Sequence, residues 1–114
     1  MIESLCRLPL AFRERRAVSY VDLLREIGYS AAEVPLSASE LAGYLGEHPS
    51  LIDLWIAYSQ DKRTSSGWYF ERHGNKGYEV AHFPNGPRML LDDSAQACAE
   101  FIIRELPELR PVAV

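Results

Sequence analysis

The sequence predicts an α+β domain: three N-terminal helices, a three-stranded antiparallel β-meander and one C-terminal helix. Helical signals fill the first half, where three serine capping boxes each precede apolar residues at helical spacing. Between Trp68 and Phe83 the pattern changes to two aromatic-rich runs around a short Gly/Asn loop. A further capping box at Asp93 then opens another helix. Helices segregated from strands in this way imply helices covering one face of an antiparallel sheet.

In chain order, Ser19-Tyr20-Val21-Asp22 opens the first predicted helix, with Val21, Leu24 and Ile27 as its stripe and Gly28 as its stop. Its start is open, because helical character reaches back into Phe12 to Arg16. Ser37-Ala38-Ser39-Glu40 opens the second, which buries Leu41 and Leu45 and ends at Gly46. His48-Pro49 separates it from the third, since a residue before proline is pushed away from helical geometry. Ser50-Leu51-Ile52-Asp53 opens that third helix, with Leu51, Leu54, Trp55 and Tyr58 buried. A polar loop, Asp61 to Gly67, leads to the hairpin of Trp68–His73 and Tyr78–Phe83 around Gly74-Asn75-Lys76-Gly77. Pro84-Asn85-Gly86-Pro87 turns into a short strand, Arg88 to Leu91. Asp93-Ser94-Ala95-Gln96 starts the last helix, which runs through Ala97, Cys98, Phe101 and Ile102 to Pro107. Residues 1–106 form a single domain in this reading, and residues 107–114 a frayed tail.

Symmetric closure of the hairpin pairs His73 with Tyr78, Arg72 with Glu79, Phe70 with Ala81 and Trp68 with Phe83. Directly opposed residues share a face. One face is then Trp68, Phe70, Ala81 and Phe83, capped by an Arg72–Glu79 charge pair: a core face. The other is Tyr69, Glu71, His73, Tyr78, Val80 and His82, which mixes aromatic and polar groups as protein interfaces do. An ordinary solvated sheet face explains the same residues, because Tyr and Val are good strand formers.

The chain has 114 residues, 47% hydrophobic and 25% charged, which suits one soluble domain and excludes global disorder. No apolar run is long enough for a membrane span, and Met1-Ile2-Glu3-Ser4 does not begin a secretion signal. Cytoplasmic residence is therefore expected. The net charge of −4 argues against direct nucleic-acid binding. Charge is uneven: residues 19–60 carry six carboxylates against Arg25, a net of −5. That region attracts basic partners if its carboxylates share a surface. Otherwise they solubilise separate helices.

Catalytic and metal signatures are missing. Cys6 and Cys98 read as small buried hydrophobes, and His48, His73 and His82 lack the spacing of a metal site. The Gly74–Gly77 loop is flanked by strands, whereas a phosphate-cradling loop leads into a helix. No cofactor, metal or enzymatic activity is expected.

Leu51-Ile52-Asp53-Leu54-Trp55, Gly67-Trp68-Tyr69-Phe70, Gly77-Tyr78-Glu79-Val80 and the run Ala95-Gln96-Ala97-Cys98-Ala99-Glu100-Phe101-Ile102 together resemble small bacterial immunity proteins. These partner secreted or contact-dependent toxins. The resemblance spans about residues 51–106 and implies a cytosolic antitoxin that binds one toxin domain, plausibly a nuclease, and occludes its active site or substrate access. The chain by itself is then a monomer or weak dimer. Glu40, Glu47 and Asp53 are candidates for one contact surface, and Tyr69, Glu71, His73, Tyr78 and His82 for a second. Two alternatives remain: a homo-oligomeric scaffold or small-ligand-binding regulatory domain, and a small enzyme working from the hairpin face.

Overall fold

A computed structural model describes residues 2–15, 19–29, 36–62, 67–75 and 77–109. Among them the order is α1 (Ile2–Cys6), α2 (Leu8–Glu14), α3 (Tyr20–Ile27), α4 (Ala38–Glu47), α5 (Ser50–Lys62), β1 (Gly67–Arg72), β2 (Tyr78–Phe83), β3 (Arg88–Leu91) and α6 (Ser94–Glu105), followed by a 3-10 turn at Leu106–Leu109. The α+β class, the meander and the C-terminal helix are as expected, and α1 and α2 precede the three helices anticipated. Arg7, which precedes α2, makes no side-chain cap, so α2 leaves no local start signal. Backbone bonds from Arg7 N–H to Glu3 O and from Ala11 N–H to Arg7 O keep the two helices nearly continuous. Pro9 breaks the ladder, because it has no N–H to donate one turn back.

The strongest local signals produced the structures they predict. Ser19 and Asp22 bond reciprocally at the start of α3, and Gly28 closes it with a φ of 82°. Ser37 accepts from Glu40 N–H, and Asp93 from Gln96 N–H. The third box does not form. Ser50 already lies inside the first turn of α5, where the amides of Leu51 and Ile52 bond to the carbonyls of His48 and Pro49. The chain beyond Pro107, expected to be a tail, continues into the 3-10 turn, and Leu106 is fully buried. Residues 110–114 lie outside the described residues.

One aromatic cluster joins the helices to the sheet. The ring of Phe101 on α6 lies 5.8 Å from Phe70 on β1 and 6.0 Å from Trp55 on α5. Trp55 is completely buried, and its indole N–H donates to the Cys6 carbonyl at 2.9 Å. That bond ties α5 to the α1–α2 break. Fully buried Ala97, Cys98 and Ala99 give α6 a small-residue surface that α4 approaches with Leu41 and Leu45.

The sheet order is β1-β2-β3, antiparallel throughout. Its hairpin register differs by one residue from the symmetric closure. Gly67 pairs with Phe83, Trp68 with His82, Tyr69 with Ala81, Phe70 with Val80, Glu71 with Glu79 and Arg72 with Tyr78. The reason is Gly77. Its carbonyl accepts from His73 N–H at 2.8 Å, which leaves residues 74–76 as the loop. Gly77 has a φ of 109°, and a Cβ there would sit 2.4 Å from the Leu91 carbonyl oxygen. This glycine is thus a strand-end residue that lets β3 approach closely, and not part of the turn.

A one-residue slip turns every β2 side chain to the opposite face. Val80, expected outside, is fully buried beneath the helices, and Phe83, expected in the core, is 52% exposed. The anticipated Arg72–Glu79 pair is also absent. Arg72 instead bonds Asp53 at 2.6 Å, and Arg88 bonds Glu79.

Candidate functional site

Two layers of sequence information create the site. Alternation in β1 sends Trp68 and Phe70 inward under α5 and α6, and so sends Tyr69 and Glu71 outward. The register set by Gly77 then places Glu79, Ala81 and Phe83 on that same outer face, with Arg88 and Leu90 from β3. The buried aromatic contacts that anchor the sheet to α6 all leave from the other face.

Glu79 sits at the centre of the outer face. Its side chain is only 5% exposed. Tyr69 Oη donates to Oε1 at 2.5 Å, and Arg88 Nε donates to Oε2 at 2.9 Å. His73 Nδ1 lies 3.5 Å from Oε2. These partners offset both the desolvation of the carboxylate and its placement directly opposite Glu71. The Tyr69 hydrogen bond, with Arg88 behind it, holds the Glu79 carboxyl below its ordinary range against the opposing effect of burial. The same bond pushes the Tyr69 phenol up to about 12. Both side chains are therefore fixed in position, Glu79 charged and Tyr69 neutral, near neutral pH.

Two large apolar side chains bracket this cluster. Leu90, opposite Glu79, is 60% exposed, and Phe83, at the far end of β2, is 52% exposed. The result is a preformed polar centre with apolar flanks.

The expected site residues separate. Tyr69, Glu71 and His73 lie together on the open face or at its tip. Tyr78 and His82 do not join them. Tyr78 packs towards the core, 5.9 Å from the Phe70 ring. His82 meets the Trp68 ring edge-on at 5.1 Å and pairs with Glu108 at 3.5 Å. Glu40 and Glu47 are exposed near opposite ends of α4, roughly 10 Å apart along its axis. Asp53 is also exposed, but its charge is matched by Arg72. These three carboxylates do not form one contiguous acidic cluster with the sheet residues. Glu79, Phe83, Arg88 and Leu90 were missed by the sequence reading. Each follows from the shifted register, and the close approach of Gly77 to Leu91 leaves no local trace.

The edges of the sheet differ as well. β1 is guarded by α5, whose Ser59 Oγ accepts the outward Phe70 N–H at 2.8 Å. No described helix guards the outward edge of β3 in that way.

Neither cysteine is activated. Cys6 and Cys98 are free and buried, and burial pushes the Cys6 thiol up to about 12. Burial, with a smaller effect from Cys6, raises Cys98 well above its ordinary value. Both conditions disfavour the nucleophilic thiolate. Among the described residues no three His, Cys, Asp or Glu side chains converge as metal ligands. No helix among them is long and apolar enough to cross a membrane. Comparison with protein-family models, with curated proteins and with solved structures found no match to this chain.

Proposed function

We propose that this protein is a stoichiometric inhibitor of the immunity type, which binds a bacterial toxin domain and blocks its active site or access to it. The open sheet face is its contact surface. The observation that carries this reading is the pairing of exposed Phe83 and Leu90 with a hydrogen-bonded centre that needs no rearrangement on binding. Preorganisation of this kind lowers the ordering cost of association. Glu40 and Glu47, exposed and in no ion pair with a described residue, supply a negative field that hastens encounter with a basic toxin such as a nuclease. Mechanistically the chain covers its target and performs no chemistry.

The test is co-expression with the products of adjacent reading frames. A neighbour that kills the host by itself, and is harmless beside this chain, supports the proposal. Rescue is then lost in the double variant Phe83→Asp/Leu90→Asp and in Tyr69→Ala, but kept in Asp53→Lys. Normal growth with every neighbour expressed singly, or rescue undiminished in the double variant, refutes it.

A further inference from the structure

We propose that the groove between α2, α3 and α5 binds a free α-amino acid with a large apolar, preferentially aromatic, side chain. This site is on the helical layer and is independent of the sheet face. The groove encloses about 520 Å³, within the size range of small-molecule sites, roughly 300 to 1,000 Å³. Pro9, Phe12, Leu54 and Ala57 form much of its lining, with Tyr20 and Tyr58. The rings of Phe12 and Tyr20 stack at 4.3 Å with an interplanar angle of 12°, and Tyr58 meets Tyr20 edge-on at 4.8 Å. Phe12 is nonetheless 40% exposed, so an aromatic wall is left open to a planar guest.

The polar groups define the class of guest. Tyr58 is committed, since its hydroxyl donates to the buried Glu105 carboxylate. The Tyr20 hydroxyl makes no hydrogen bond to a described residue, and it is not sealed from solvent. Arg13 and Asp61 also line the groove, and neither is in an ion pair with a described residue. Both charges act on the Tyr20 phenol, which is raised to about 12, by burial first and then by Asp61, with Arg13 opposing. One hydroxyl thus lies within the field of a cation and of an anion. A guest with only a carboxylate gains from Arg13 and loses to Asp61, and a simple amine does the reverse. A zwitterion satisfies both, with its carboxylate on Arg13 and its ammonium on Asp61, while its side chain covers the aromatic wall.

A second hollow, between α1, α2 and α3, shows the contrast. Its Arg15 and Glu26 neutralise each other at 2.8 Å, so it offers no unpaired cation and anion together, and its Arg7 donates to the Tyr44 hydroxyl at 3.4 Å.

Calorimetric titration of the full chain tests the proposal with L-phenylalanine, phenethylamine and 3-phenylpropionate as probes. L-phenylalanine is expected to bind saturably with a Kd of about 10 μM to 1 mM. Each one-charge analogue is expected to be at least about tenfold weaker, the effect of roughly one lost charge-assisted contact. Arg13→Gln and Asp61→Asn each weaken L-phenylalanine by about tenfold, and each strengthens the analogue that lacks the matching charge, phenethylamine and 3-phenylpropionate respectively, by removing the charge that repels it. Both positions are exposed, and unchanged circular dichroism confirms that the variants fold. No saturable binding at about 10 mM, equal affinity for the analogues, or indifference to both substitutions overturns the site. Because Arg13 and Asp61 lie away from the sheet face, toxin rescue by these variants is unchanged, and the two proposals fail separately.

Discussion

Two buried carboxylates, Glu105 and Glu79, each accept a hydrogen bond from a tyrosine, and their surroundings give them different work. Glu105 is 1% exposed on α6 and receives Tyr58 from α5, so the pair locks one helix to another inside the core. Burial, followed by the nearby carboxylate, pushes the Tyr58 phenol far above its ordinary value. Glu79 is almost as hidden, at 4%, yet lies on the face that the helices leave open. Its partners Tyr69, Arg88 and His73 are themselves surface residues that hold one another in place. The first pair spends its hydrogen bond on fold stability. The second stiffens a patch of the sheet's outer face.

The sharpest way to break this contrast is Gly77→Ala. The added Cβ meets the Leu91 carbonyl oxygen, and the positive φ is strained for any L side chain. The expected cost is about 3 kcal/mol, read as a lower urea midpoint, with the outer-face register lost. Tyr58→Phe comes next. It withdraws a donor from a buried charge and is expected to cost about 2 kcal/mol by urea unfolding. Tyr69→Phe removes the equivalent donor at a half-exposed position, where solvent partly replaces it, and about 1 kcal/mol is expected.

That third variant also separates the pairs by pH. Glu79 titrates lower in the folded chain than its ordinary 4.5, so its contribution is present above that value and is lost as pH falls through the folded one. The stability gap between wild type and Tyr69→Phe should therefore close under acid. On the alkaline side, the phenol contributes fully below its ordinary 10 and loses that contribution as pH rises towards about 12. Urea midpoints measured across both ranges check the two signs. The smallest effect belongs to Asp53→Asn, which removes an ion pair with both side chains more than half exposed. No measurable change in the unfolding midpoint is expected.

Legibility followed the range of the interactions. Ser19 with Asp22, Ser37 with Glu40 and Asp93 with Gln96 satisfy backbone groups three residues away, and a local pattern suffices to find them. Ser50 carries the same pattern and fails, because His48 and Pro49 already supply acceptors for the first turn. The helices α1 and α2 are held by burial of Leu5, Cys6 and Leu8 and by the Trp55 indole, a partner 49 residues from Cys6. At the candidate surface, Tyr69, Glu71 and His73 were legible from alternation in β1. Tyr78 and His82 were assigned to the wrong face because a loop of two glycines fits either closure.

Alternation, capping and charge in the sequence alone determined the α+β class, the meander and the orientation of β1 towards the core. Tertiary structure decided which half of β2 faces outward, and with it the whole composition of the open face. The physical reason is that strand side chains repeat every two residues. A single close contact, between Gly77 and a carbonyl on β3 fourteen residues later, therefore chooses between two complete surfaces.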